Sequence, residues 1–151
     1  MPRLSIDSPL GRLCLVEEDG RLTAVEWRGD VARGQETPLL IEARAQLDAY
    51  FAGRRTAFDL PLAPQGSPFE LSVWRLMSAI PYGETRSYGE LAAALAATAR
   101  DVGQACGSNP LPIFIPCHRV LAAGGALGGY SGGEGTETKR HLLVLEGALL
   151  I

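Results

Sequence analysis

The sequence predicts an α+β chain in two parts: a small antiparallel β-sheet with one helix over residues 1–60, a linker at 61–66, and a mainly helical part containing a helix-turn-helix over 67–151. Three observations predict it. Residues 3–7, 11–17 and 22–27 alternate apolar and polar side chains, the period of half-buried strands, and Ser8-Pro9-Leu10-Gly11 and Glu18-Asp19-Gly20-Arg21 supply the turns. Pro61, Pro64 and Gly66 then break the chain. Beyond them, helix starts with explicit capping residues follow in quick succession.

Taken in order, the three alternating runs form an antiparallel meander. Cys14 is in phase with Val16 and out of phase with Leu13 and Leu15, so its face stays open, and its role reads as structural. Leu39, Leu40, Ala43, Leu47 and Tyr50 recur at helical spacing from Pro38 to Phe51, and Gly53 stops that helix. Ser67-Pro68-Phe69-Glu70 is a capping box with proline at the first helical position, leading into Val73, Trp74, Met77 and Ile80. Ser87-Tyr88-Gly89-Glu90 repeats the device before Leu91 and Leu95. Thr98-Ala99-Arg100-Asp101 repeats it again, with Val102, Ala105 and Cys106 on one face and Gly107 as the stop. Two short helices meeting at a sharp break form a helix-turn-helix pattern, which serves either plain structure or DNA binding. Residues 124–133 hold six glycines. Such a loop either swings or lets a ligand approach its backbone, and the absence of G-x-x-x-x-G-K-[ST] excludes the phosphate-binding kind. A last helix runs from about Glu137 to Leu145, with Gly147 as its stop. Glu146 opposes the dipole at that helix end, so a partner is expected to hold it.

Chemistry concentrates in Asn109-Pro110-Leu111-Pro112-Ile113-Phe114-Ile115-Pro116-Cys117-His118-Arg119-Val120. The prolines push their preceding residues to extended geometry, so Ile113 to Ile115 reads as a short buried strand with Cys117 at its stiff end. A free thiol ionises near about pH 8.5, and a nucleophilic cysteine needs a base or a positive charge beside it. His118 and Arg119 supply both types. In extended chain, however, neighbours point to opposite faces, so proton transfer from Cys117 to His118 requires a bend or an intervening water. Two readings stand on these residues alone: a core cysteine beside a capping histidine, or an activated nucleophile.

Composition narrows the classes. The chain has 151 residues, 46% hydrophobic and 21% charged, enough for one compact core or two small ones. Three cysteines at wide spacing, with no C-x-x-C, argue against a disulfide framework and against zinc, and no metal or cofactor is expected. Reduced thiols, no signal-peptide core at the start and no apolar run of membrane length lead to the expectation of a cytoplasmic protein away from membranes. The net charge is −3, and residues 67–151 hold six basic against seven acidic residues. Any nucleic-acid contact must therefore rest on backbone N–H groups and helix N-termini rather than on a basic patch.

Pro116-Cys117-His118-Arg119-Val120 resembles the active-site segment of the O6-alkylguanine-DNA alkyltransferases. The resemblance continues through Ser87-Tyr88, Arg100, Gly107-Ser108-Asn109-Pro110, Tyr130-Ser131-Gly132-Gly133 and Glu146-Gly147, covering roughly residues 68–147, and Ala24-Val25-Glu26-Trp27 is similar to the family's amino-terminal domain. It implies a winged helix-turn-helix-like domain that both binds DNA and reacts, and a protein that repairs double-stranded DNA by direct reversal. The alkyl group of O6-alkylguanine, and possibly of O4-alkylthymine, would pass irreversibly to Cys117 after base flipping, once per molecule.

The resemblance also implies roles. His118 would draw the thiol proton through a water, Glu146 would orient His118, and Asn109 would brace the turn. Tyr88 would assist the leaving base, backbone groups of Cys117, Val120 and Ser131 would read its edge, and Tyr130 would wall the pocket. A minor-groove helix would place Arg100 in the vacated stack, with Ser87, Tyr88 and Ala99 also at the DNA, and the protein would act as a monomer. Arg119 fits a phosphate contact or a buried brace, and His141 reads as surface or packing. Three departures from the family pattern bear on affinity and substrate range: Asp101 beside the finger position, a Glu134–Thr138 segment about two residues longer than usual, and Leu145 before the glutamate. Three rivals make different predictions. A non-catalytic alkyltransferase-like sensor carries tryptophan at the position of Cys117, a winged-helix regulator predicts no thiol reactivity, and a cysteine hydrolase predicts turnover.

Overall fold

The computed structural model describes residues 1–27 and 34–150, which divide into two compact units, Met1–Gln65 and Gly66–Ile151. In the first, β1 (Arg3–Ser8), β2 (Gly11–Glu18) and β3 (Arg21–Trp27) form an antiparallel sheet in the order β1-β2-β3. Leu13, Cys14, Leu15 and Val16 are all buried, so central β2 is covered on both faces and Cys14 is a core residue whichever way it points. Helix α1 (Pro38–Phe51) starts where Thr37 accepts a hydrogen bond from Leu40 N–H, and it buries Leu40, Ala43, Leu47 and Tyr50. Its buried Gln46 exchanges two hydrogen bonds with the Asp59 backbone, at 3.1 and 2.9 Å, a pairing the apolar periodicity gives no hint of. The stretch read as a linker is tied down at its start. Leu22 N–H donates to Pro61 O and Ala63 N–H to Leu22 O, which lays Leu62 parallel to β3.

The second unit begins with α2 (Pro68–Ser78), whose capping box is complete: Glu70 N–H donates to Ser67 Oγ and Ser67 N–H to Glu70 Oε1. The same reciprocal pair, between Ser87 and Glu90, opens α3 (Tyr88–Leu95). Helix α4 (Ala99–Gly107) starts with Asp101 N–H on Thr98 Oγ1. The α3–α4 break is made at Ala96, whose left-handed φ of 52° turns the chain sharply between the two helices. These helices pack on one another and on α2, and Trp74 Nε1–H donates to Ala105 O across that junction at 2.8 Å. Two-residue strands β4 (Arg86–Ser87) and β5 (Val120–Leu121) pair in parallel, bringing the start of α3 beside the chain that follows Cys117. Helix α5 (Thr136–Leu145) closes the unit and begins one residue earlier than its apolar pattern suggests, after Gly135.

The expected strand at 113–115 is not formed. Pro112 to Ile115 is a tight turn in which Ile115 N–H donates to Leu111 O and buried Ile113 takes φ of +75°, a strained value for a β-branched residue. Two prolines in five residues remove the N–H groups a strand would pair with. Asn109 then fastens the turn from both ends, donating Nδ2–H to Ile115 O at 2.9 Å and accepting from Leu111 N–H at 3.0 Å. Among the described residues no helix is long and apolar enough to cross a membrane.

Candidate active site

Cys117, His118 and Arg119 form a single 3₁₀ turn, closed by Arg119 N–H to Pro116 O at 3.0 Å and by Val120 N–H to Cys117 O. This is the bend that extended chain would have lacked. At about three residues per turn, successive side chains fan out by a third of a circle. The thiol is thereby sent into a cavity of about 460 Å³, and the other two side chains go to the interior. Tyr88, Gly103, Cys106, Gly107, Gly129, Tyr130 and Ser131 complete the lining, a size and mix of apolar and polar groups suited to a small ligand.

Behind the turn lies a buried charged cluster. His118 is fully buried, with Nε2 2.7 Å from Glu146 Oε2. Arg119 grips the same carboxylate twice, from Nε to Oε1 at 2.8 Å and from Nη2 to Oε2 at 3.0 Å, and donates Nη1–H to Ile80 O at 2.6 Å. Glu146, the C-cap of α5, thus has the partners its place at the negative helix end calls for, and Arg119 is a brace rather than a surface contact. A carboxylate that accepts from Arg119 also accepts from His118, which fixes the imidazole proton on Nε2 and leaves Nδ1 as the basic nitrogen. Nδ1 is buried and has no hydrogen-bond partner among the described residues. Burial pushes the His118 pKa down, against the raising effect of Glu146, so the ring is neutral and able to take a proton.

The thiol is held in its neutral form. Burial raises the Cys117 pKa, and hydrogen bonding from Asn109, the Lys139 charge and hydrogen bonding from Tyr130 work in the opposite direction. Tyr130 is raised well above its ordinary value, by burial first and then by Cys117, and Tyr88 is pushed up to about 12 by burial and by the two nearby thiols. Both phenols therefore keep their protons and can donate. The glycine loop sits close against Tyr88: a Cβ at Gly128, whose φ is +70°, would lie 3.1 Å from the Tyr88 ring. Ser131 anchors the far end of the loop by donating Oγ–H to Gly107 O at 3.1 Å.

Of the residues singled out by sequence, the structure brings Cys117, Tyr88, Tyr130 and Ser131 to one cavity, and His118, Asn109 and Glu146 support the turn or the histidine. Val120 is buried directly after that turn. Arg100 and Ala99 are exposed in the first turn of α4, and Ser87 is the half-buried cap of α3. His141 is exposed on α5. Two residues went unassigned. Cys106 lines the cavity with Cys117, and its thiol is pushed up to about 12 by burial and then by Cys117. Lys139 is fully buried behind Tyr88. The signal for Lys139 was present, since Lys139, Leu142, Leu143 and Glu146 share one helical face, but a lysine on an apolar face ordinarily extends out to water. Among the described residues no group of three or more His, Cys, Asp or Glu side chains could hold a metal ion.

A thiol lining a cavity, a histidine on the same turn held by a carboxylate from the end of α5, and a helix-turn-helix beside them define an α+β protein built for cysteine chemistry next to a nucleic-acid-binding motif. Comparison with known proteins gives the family. Residues 68–148 match 6-O-methylguanine DNA methyltransferase, DNA binding domain, and residues 3–64 match 6-O-methylguanine DNA methyltransferase, ribonuclease-like domain. The constitutive methylated-DNA–protein-cysteine methyltransferase of Bacillus subtilis is 46% identical over 152 residues, spanning 93% of this chain and 92% of that protein. Among solved structures, O6-methylguanine methyltransferase of Mycobacterium tuberculosis is 42% identical with a TM-score of 0.85, covering 97% of this chain and 93% of that one. The crystal structure of Mycobacterium tuberculosis OGT in complex with DNA is 45% identical with a TM-score of 0.84, covering 95% and 91%. The chain belongs to the 6-O-methylguanine DNA methyltransferase family.

Proposed function

We propose that this protein repairs alkylated double-stranded DNA by moving the alkyl group from guanine O6 to Cys117, once per molecule. The observation that carries the proposal is the single 3₁₀ turn that sends Cys117 into the cavity and His118 onto Glu146. Guanine O6 is out of reach inside a duplex, so the nucleotide is flipped into the cavity from the minor groove, with Arg100 filling the gap it leaves and Ser87, Tyr88 and Ala99 against the DNA. Backbone groups of Cys117, Val120 and Ser131 read the base edge, and Tyr130 walls it.

The Cys117 sulfur attacks the alkyl carbon in line, a sulfur–carbon bond forms and the carbon–O6 bond breaks with its electron pair staying on the base. The thiol proton passes through a water to His118 Nδ1, and the imidazolium is stabilised by Glu146, itself held by Arg119. Tyr88, kept protonated by burial, donates to the departing guanine. Because the neutral thiol is favoured, a base that acts as the sulfur attacks is needed, and neutral His118 meets that need. The thioether offers water no leaving group, so the protein is spent, and it acts as a monomer. O4-alkylthymine presents a similar alkyl–oxygen bond and falls within the same chemistry.

Intact-mass measurement after incubation with a duplex bearing O6-methylguanine tests the proposal. One methyl group is expected, on the peptide that holds Cys117. A methyl group on Cys14 or Cys106 would contradict it.

A further inference from the structure

Helices α2, α3 and α4 each carry an acidic residue three places after the cap, and only the first two use it there. Glu70 Oε1 accepts from Ser67 N–H at 2.9 Å and Glu90 Oε1 from Ser87 N–H at 3.1 Å, which closes both capping boxes. Asp101 holds the same place in α4, with its own N–H on Thr98 Oγ1 at 3.1 Å, but its side chain is one methylene shorter and the return bond to Thr98 N–H is not made. Among the described residues no hydrogen bond or ion pair engages the Asp101 carboxylate, which stands exposed beside Arg100. The place of α4 decides what that carboxylate meets. Gly103 and Gly107 line the cavity that holds Cys117, so α4 is one of its walls, and a duplex that delivers a base into the cavity lies along the exposed side of this helix. That side carries Arg100, Asp101, Gln104 and Gly107. Asp101 is turned about 100° around the helix from Arg100. With Arg100 in the vacated stack, Asp101 is therefore beside a neighbouring base pair.

We propose that Asp101 is a specificity-determining residue, which directs the protein to O6-alkylguanine flanked by G·C pairs by accepting a hydrogen bond from the N2 amino group of the adjacent guanine. The inference rests on the minor-groove, base-flipping reading above and deepens it. In the minor groove an A·T pair offers only acceptors, adenine N3 and thymine O2, whichever way the pair is turned. A G·C pair adds one donor, the guanine amino group. A carboxylate can only accept. Against A·T, Asp101 gives up its water, finds no donor and is repelled by the acceptors it faces. Against G·C it receives a charge-assisted hydrogen bond, of the stronger kind. Arg100 and Asp101 thus divide the work: the first fills the gap left by any flipped nucleotide, and the second makes the neighbouring pair count. A neutral residue in place of Asp101 would give the first effect without the second, and a glutamate there could reach back to the cap as Glu70 and Glu90 do.

The test uses duplexes that carry O6-methylguanine and differ only in the pairs on either side of it: G·C, A·T, hypoxanthine·C, which lacks the amino group, and diaminopurine·T, which gains it. The rate of methyl transfer to Cys117 is measured below saturation for the parent, Asp101→Asn and Asp101→Ala. Each preference is a ratio within one protein, so any loss of folded protein cancels. The parent should favour G·C over A·T about tenfold more than Asp101→Ala does, with diaminopurine·T grouped with G·C and hypoxanthine·C with A·T. Asp101→Asn should lose the preference as Asp101→Ala does, because its amide also donates to adenine N3 or thymine O2. An equal ratio in the parent and Asp101→Ala, a preference retained in Asp101→Asn, or hypoxanthine·C treated as G·C would each overturn the inference and leave Asp101 as a charge at a helix start. No transfer to Cys117 from any of the duplexes would overturn the alkyl-transfer reading, and this inference with it.

Discussion

At the scale of single residues, Glu146 carries two duties. It holds the His118 proton on Nε2 and pairs with buried Arg119, so removing its charge disturbs both. Glu146→Gln should lower the unfolding free energy by about 3 kcal/mol, the cost of leaving a buried charge without its partner, and should slow transfer well beyond any loss of lesion binding. Urea unfolding and single-turnover kinetics check the two halves. The pH dependence follows from His118. Its pKa is lower in the folded protein than in the unfolded chain, so at acid pH the unfolded state binds more protons and stability falls. The neutral-histidine contribution is complete above the ordinary value of about 6.5 and is lost as pH falls below it toward the depressed folded value. The transfer rate should show an acid limb with its midpoint below about 6.5, because a protonated His118 no longer accepts the thiol proton.

At the scale of elements, α4 positions Arg100 at its start and holds the glycine loop at its end, where Gly107 O accepts from Ser131. Arg100 is exposed in the first turn of α4, where a cation is poorly placed against the helix dipole. Arg100→Ala should therefore leave the fold intact and damage repair of duplex much more than reaction with free O6-benzylguanine, which needs no flipping. Paired rate measurements decide it, and equal losses would make Arg100 a pocket support. The elements were legible in the sequence because their signals are local: Ser67 and Ser87 with glutamates three residues on, Pro38 opening α1, and alternation in β1 to β3. What was illegible depends on distant partners. The 113–115 turn is fixed by Asn109 hydrogen bonds that span several residues and override the apolar run. Of the site, the cysteine, histidine and glutamate were readable through Pro116-Cys117-His118-Arg119-Val120 and the odd placement of Glu146. Lys139 was not, because a lysine on an apolar helical face ordinarily extends out to water, and the partners that hold it inside, the Val120 and Gly129 carbonyls and the Tyr88 hydroxyl, lie on distant stretches of chain.

At the scale of the molecule, charge sets how DNA is met. The structure removes two of the six cations in residues 67–151 from the surface, since Arg119 and Lys139 are buried, and Arg86 pairs with Glu84. Each phosphate neutralised contributes about −0.9 to the slope of log affinity against log salt, so Arg75 and Arg140, with Arg100 taken into the base stack, predict a slope on the order of −1 to −3. A salt titration giving a slope steeper than about −5 would reveal phosphate contacts that this surface does not present. The central claim is that the protein is its own acceptor and reacts once. Titrating a fixed amount of protein with excess O6-methylguanine duplex and counting repaired lesions tests it most directly. The count should level off at one lesion per protein molecule and vanish in Cys117→Ala; repair that continues past one per molecule, or persists without Cys117, would contradict the account.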